Sequence, residues 1–237
     1  MTYYQGGKKR LGKEISEKII EIEKKYSDYN LPYFEPFCGM LGVAVHIRHD
    51  NLDRNMYMND YNPDIINMWK AIKKGWEPPK TVSKKKFNEL KESKMSTPER
   101  GFVGFACSYN GNLFAGFRTG IFLKNSRKAV LEYGDYIKNF KFTNKSYTEF
   151  EPKNMLIYSD PPYKNNQLTY NKFFQNFDHD LFWKTMRKWS KNNIVIISEY
   201  TAPKDFKCIW KKQTNYTSGT SNKQNAERTE KLFIYKH

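Results

Sequence analysis

Short apolar runs at 33–37, 55–59, 155–158, 194–197 and 231–235 recur along this chain, separated by longer segments, several with helical spacing. This alternation constrains the fold more than any other feature. A strand that is apolar on both faces has to be covered on both, and strands joined through helices run parallel. The expected architecture is α/β: a Rossmann-like, mostly parallel sheet with helices on each side. Ile194-Val195-Ile196-Ile197 reads as its clearest central strand.

Periodicity marks the helices. Leu11, Ile15, Ile19, Ile22 and Tyr26 fall on one face of a helix over 11–26. Asn62-Pro63 supplies a capping side chain and a proline at the first helical position, opening a helix through Ile65, Ile66, Trp69 and Ile72. Another covers 178–191, with Leu181, Phe182, Thr185, Met186 and Trp189 turned inward. Residues 75–125 break the pattern. Lys84-Lys85-Lys86 is strongly basic, 101–120 is rich in Gly and Phe, and Asn110-Gly111 is a hairpin-turn signal. This stretch reads as a small inserted lobe, leaving 1–74 and 126–237 as one domain.

Lys and Arg exceed Asp and Glu by 41 − 25 = 16, a formal net charge of +16. The basic residues are spread along the chain and interleaved with aromatics, as in Lys172-Phe173-Phe174 and Trp183-Lys184. That favours a polyanionic partner, nucleic acid first. No run approaches the roughly 18–20 apolar residues of a membrane helix, and the Lys-rich start lacks the apolar core of a secretory signal. Cys38, Cys107 and Cys208 lie far apart, as free thiols in a reducing compartment do, so a cytoplasmic setting without a metal site is expected.

Chemical signals stand at strand ends. Gly39 and Gly42 lie where the first core strand turns into a helix, so backbone can approach a ligand there. Asp60 ends the next strand, where a carboxylate can accept from a ribose diol. Gly6-Gly7-Lys8 lacks the upstream Gly and the following Ser/Thr of a P-loop, but leaves a lysine and backbone amides for a carboxylate. Asp160-Pro161-Pro162-Tyr163 is the most specific signal. Two prolines stiffen the backbone and remove its donors, so a carboxylate, carbonyl oxygens and an aromatic ring remain in fixed relation. That set suits a flat heterocycle with an exocyclic amine.

Glu35-Pro36-Phe37-Cys38-Gly39, Asp60 and Asp160-Pro161-Pro162-Tyr163 resemble the motifs of amino-group DNA methyltransferases. With Gly6-Gly7-Lys8 ahead of the Gly turn, their order resembles the Dam-type (D12 class, α group) adenine-N6 enzymes. Tyr109-Asn110-Gly111-Asn112 resembles that family's recognition lobe, and Glu227-Arg228-Thr229-Glu230 its carboxyl-terminal pattern. The chain departs at Tyr4, where the family usually has Trp, and at Leu41, where it usually has a second Gly.

The resemblance implies a seven-stranded sheet with one antiparallel strand, and S-adenosylmethionine as methyl donor, leaving S-adenosylhomocysteine, with no metal. Tyr4, Gly7 and Lys8 would border the donor's methionine end, Phe37, Cys38 and Gly39 would line its pocket, and Asp60 would hold its ribose. Asp160, next to the donor, would bind the target adenine with Pro161, Pro162 and Tyr163. Duplex DNA is the implied partner, with Asn110, Asn112, Arg118, Lys84 and Lys85 as contacts. Arg118 suits a guanine edge or a phosphate equally. A monomer or weak dimer, and a separate cognate restriction endonuclease, fit the same family. Two alternatives stay open: a cytosine-N4 methyltransferase, which more often carries Ser in place of Asp160, and a catalytically weak DNA-binding protein on this fold.

Overall fold

Strand alternation sorts the side chains of the sheet onto two faces. In the computed structural model, which describes residues 7–8, 10–27, 30–50, 53–163, 177–216 and 226–236, Tyr33, Leu156, Tyr158, Ile196 and Leu232 enter one apolar cluster. Phe34, Ile157, Val195, Ile197 and Phe233 enter another on the opposite face. The strands are β1 (Tyr33–Glu35), β2 (Met56–Asn59), β3 (Phe140–Thr143), β4 (Leu156–Ser159), β5 (Ile194–Glu199), β6 (Phe206–Tyr216) and β7 (Ala226–Tyr235). They form a seven-stranded sheet in the order β3-β2-β1-β4-β5-β7-β6. β7 runs antiparallel to both neighbours, and the other pairings are parallel. The Rossmann-like, mostly parallel sheet with one antiparallel strand is thus the one expected. Strand order reverses at β1, which has β2 on one side and β4 on the other. Ligands of open α/β sheets sit beyond the carboxyl ends of strands at such a reversal.

Helices α1 (Gly12–Tyr26), α2 (Ala44–Asp50) and α3 (Pro63–Lys73) cover the first face with Ile15, Ile19, Ile47, Ile65 and Trp69. As read from the sequence, the Asn62 side chain caps α3 by accepting from the Asp64 amide at 3.0 Å. The second face receives Phe182, Met186 and Trp189 from α7 (His179–Ser190). Three side chains expected inside are not. Tyr26, the last residue of α1, is 57% exposed and Leu181 is 42% exposed. The buried stripe of α7 runs through 182, 186 and 189, so Leu181 and the half-buried Thr185 lie one step round the helix.

Between α3 and β3 the chain forms α4 (Lys84–Glu92), α5 (Pro98–Ala106) and α6 (Ile121–Tyr136). Ser83 and Thr97 accept from backbone amides at the starts of α4 and α5. A Cβ on Gly101 would stand 2.1 Å from the Asp64 carbonyl oxygen, so α5 crosses α3 at backbone contact. Phe87, Phe102, Val103 and Val130 join the same cluster as the first sheet face. The hairpin expected at Asn110-Gly111 is a short 3-10 turn, Tyr109–Gly111, beside a single Ser108–Phe117 bridge. Packing prevails there, because Phe114 and Phe117 both close on the Phe87 ring. No described helix is long and apolar enough to cross a membrane.

Candidate active site

At the end of β1, the buried Glu35 accepts from the Tyr33 hydroxyl at 2.7 Å. Burial pushes its carboxyl up to about 8, against that hydrogen bond. The chain then turns. The Cys38 amide donates to Asn59 O at 2.8 Å, and Gly39 adopts φ 45°. Asp60, 4% exposed, accepts from the Gly39 amide at 3.0 Å and from the Asn62 amide at 2.8 Å. Burial raises its carboxyl to about 6, opposed by these two backbone donors. Trp69 fixes the same turn from α3 by donating to Gly39 O at 2.9 Å. Leu41, standing where the family usually has Gly, sits at φ 58°. A left-handed leucine costs roughly 1–2 kcal/mol, and its complete burial offsets this.

At the end of β4, Asp160 accepts from the Lys8 ammonium at 2.8 Å. Lys8 Nζ also lies 4.6 Å from the centroid of the Tyr163 ring and 3.8 Å from Glu230 Oε2. Tyr163 is 8% exposed. Its hydroxyl donates to Glu230 Oε1 and lies 2.8 Å from Ser198 Oγ, which donates to the same oxygen at 2.6 Å. Tyr200 meets the Tyr163 ring edge-on at 4.6 Å. Burial raises Asp160 to about 6; Lys8 pulls it down and Glu230 pushes it up. Burial works against the Lys8 ammonium, but Asp160 and Glu230 outweigh it, so Lys8 holds its proton more tightly than usual. Burial, then Asp160 and Glu230, drives the Tyr163 hydroxyl well above its ordinary value.

Of the expected site residues, Lys8, Asp160 and Tyr163 come together in one cluster and Gly39 and Asp60 in another. Pro161 is buried, Pro162 half-buried and Gly7 exposed. The Phe37 ring packs with Tyr147, Phe177 and Phe182. Cys38 is a buried thiol that burial, with Asp60 and Glu35, keeps protonated. Tyr4 and the side chain of Asn110 lie outside the described residues. Asn112 is half-buried, with an Oδ1 that accepts no hydrogen bond among the described residues. The Arg118 guanidinium lies over the Phe122 ring. Lys84 and Lys85 are exposed on the first turn of α4. Sequence reasoning gave no role to Glu230 or Ser198. Glu230 was visible within Glu227-Arg228-Thr229-Glu230, yet nothing along the chain ties it to Tyr163. It also missed an open cleft of about 570 Å³ beside α6, lined by Lys80, Lys124, Arg127, Lys128, Leu131 and Glu132. Among the described residues no cluster of three or more His, Cys, Asp or Glu side chains could hold a metal.

A profile of the D12 class N6 adenine-specific DNA methyltransferase family matches residues 4–103. That is 100 of the 237 residues, and it holds the Gly turn and Asp60 but ends before Asp160. The resemblance read from the sequence is therefore matched over the amino-terminal part, and it supports a methyltransferase. The comparison with curated proteins found no match. Among solved structures, the chain is similar to a protein from Thermoplasma acidophilum, at 9% identity and TM-score 0.45, covering 96% of this chain and 98% of that one. It is also similar to an rRNA methyltransferase from Streptomyces viridochromogenes, at 9% identity and TM-score 0.41, covering 93% and 83%. A precorrin-6y C5,15-methyltransferase from Geobacter metallireducens shares 6% identity at TM-score 0.41, covering 93% and 86%.

Proposed function

We propose, from the D12-class match over residues 4–103 and the cluster around Asp160, that this chain is an S-adenosylmethionine-dependent DNA adenine-N6 methyltransferase. The observation that carries this reading is the way Asp160 and Tyr163 receive Lys8. A group bearing N–H is bonded to the carboxylate at 2.8 Å while lying 4.6 Å over the ring. A flipped adenine makes the same demand: an acceptor for its exocyclic amine and an aromatic surface beside it.

The residues present fit the donor. Asp60 already accepts one backbone bond on each oxygen and keeps lone pairs for ribose hydroxyls. Gly39 lets backbone approach closely, and the Asp160 carboxylate at the end of β4 suits a cationic ligand. When bound, S-adenosylmethionine supplies an electrophilic methyl group on a sulfonium sulfur. Everything else falls to the protein and the base. Flipping adenine from the duplex costs a few kcal/mol, part of which contact with Tyr163 offsets. Asp160 and the Pro161 carbonyl would accept the two N6 hydrogens and favour a tetrahedral nitrogen. Once it carries the methyl group, with the thioether as leaving group, that nitrogen is cationic and acidic enough to lose one proton to water without a dedicated strong base. Positioning and preorganised acceptors supply most of the acceleration. Lys8 competes with the base for Asp160, so the ammonium has to leave before adenine can seat.

The +16 charge supports duplex DNA as substrate. Lys84 and Lys85 add to this, because cations in a first helical turn oppose the helix dipole and gain from an external anion. The 75–125 stretch and the basic cleft beside α6 form the proposed DNA-facing side, with a cytoplasmic setting in keeping. Labelled donor and duplex DNA, digested to nucleosides, test the reading. N6-methyladenine is the expected product. Label in N4-methylcytosine, or none in DNA, overturns it.

A further inference from the structure

We propose that Glu230 is a positioning residue for methyl transfer, fixing the Tyr163 ring through its hydroxyl and holding the Lys8 ammonium once it leaves Asp160. The proposal rests on the adenine-N6 reading above. Its starting point is what the loop after β4 lacks. Pro161 and Pro162 have no N–H groups, so no amide at either position can pin the backbone that carries Tyr163. The ring is held from its far end instead. Its hydroxyl meets Ser198 of β5 at 2.8 Å and Glu230 of β7, and Ser198 donates to the same Oε1 at 2.6 Å. β5 and β7 are paired in register just beyond, Ser198 opposite Leu232 and Glu199 opposite Lys231. The clamp is therefore built on two rigid neighbouring strands.

The two oxygens of Glu230 divide the work. Oε1 accepts both hydroxyls, and Oε2 faces Lys8 Nζ at 3.8 Å. Glu230 is 7% exposed. A ring needing only a packing place would be held at lower desolvation cost by apolar neighbours, so a buried charge here answers to the ammonium as well. With Lys8 on Asp160, Glu230 is the second carboxylate within reach. With adenine on Asp160, it is the counter-charge that remains.

The groups acting on Asp160 are Lys8, Glu230 and Tyr163, with Tyr158 and Glu35 in the same electrostatic neighbourhood. Of these, Glu230 is the like charge that raises Asp160. Removing it moves the acid limb of the rate profile to lower pH, a change that a purely structural role would not make.

The test compares the full-length chain with E230A, E230Q, Y163F and E230A/Y163F, measuring kcat, KM for donor and DNA, and the pH profile. E230A is expected to lower kcat about 10–100-fold while changing donor KM little, as for an interaction made in the transition state. E230Q keeps an oxygen for both hydroxyls but not the charge that faces Lys8, so it recovers only part of kcat and shifts the acid limb down. The double variant is no slower than the worse single one, because both changes cut the same link. Multiplying effects, or an E230A enzyme of unchanged kcat and acid limb, overturn the proposal. A second readout separates it from the function itself. With 3-fluorotyrosine at position 163, the fluorine resonance shifts and broadens in E230A. An unmoved, sharp resonance overturns the clamp even if the wild-type protein methylates no DNA.

Discussion

Asp60 and Asp160 stand at the ends of β2 and β4, the two strands that flank β1, and burial raises both to about 6. Their partners differ in kind. Asp60 is bonded to the amides of Gly39 and Asn62, which cannot leave without undoing the turn after β1 and the start of α3. Asp160 is bonded to the end of the Lys8 side chain, which can swing away. A shared upward shift therefore does not mark a shared role. One carboxylate is bonded to backbone that it holds in place, and the other to a side chain that can exchange for another donor.

Substitution should separate the two. Asp160→Ala is expected to lower methylation by at least about 10³-fold, the scale of losing a preorganised transition-state partner, with little loss of stability because only a side-chain partner goes. Asp60→Ala strands two buried amides at about 1–3 kcal/mol each. It should lower stability to urea by about 2–6 kcal/mol and, through the proposed ribose contact, raise the donor KM. Rates from labelled donor and urea midpoints check both. Full activity in the Asp160 variant, or a wild-type midpoint in the Asp60 variant, breaks the division.

Glu35 extends the comparison to a third buried carboxyl, raised furthest, to about 8. Its ordinary value is 4.5, so between those values the folded chain binds the Glu35 proton more tightly than the unfolded chain does. Stability from this group is complete below about 4.5 and is lost as pH rises through about 8. Asp60 and Asp160 act with the same sign but over a lower window, from 3.8 to about 6. Among the three, the decline between about 6 and about 8 belongs to Glu35. Glu35→Gln should flatten the urea midpoint across that interval. An equal decline in the variant would show that Glu35 is not its source.

The same contrast between backbone and side-chain bonds explains what could be read in advance. Central strands β1, β4 and β5 are buried on both faces, so their apolar runs were visible, and with them the turn at Gly39 and the loop at Asp160. The edge strands β3 and β6 carry Lys141, Lys207 and Lys211 on exposed positions, which break up their apolar residues. Helix α5 was hidden for another reason. Gly101 and Gly104 weaken helical propensity, and only close packing against Asp64 and Phe114 accounts for them. Glu230 was out of reach because its meaning lies in Ser198 and Tyr163, 32 and 67 residues away.

The smallest effect concerns the cations, where fixed and exchangeable partners again differ. Arg127 is tied to Pro78 O at 2.8 Å and to Glu77, and Lys86 to Glu99 at 3.0 Å. Lys84 and Lys85 make no ion pair among the described residues. A cation without a protein partner is the one a phosphate can take at least cost. Each phosphate contact contributes about 0.9 to the slope of log affinity against log salt. K84A/K85A should therefore lower that slope by up to about 2, read from DNA binding over a salt series, with weakening that does not depend on DNA sequence. K124A/K128A, at the cleft beside α6, gives the comparison. A larger drop from the cleft pair places the duplex along α6, and a larger drop from the α4 pair places it over that helix's first turn.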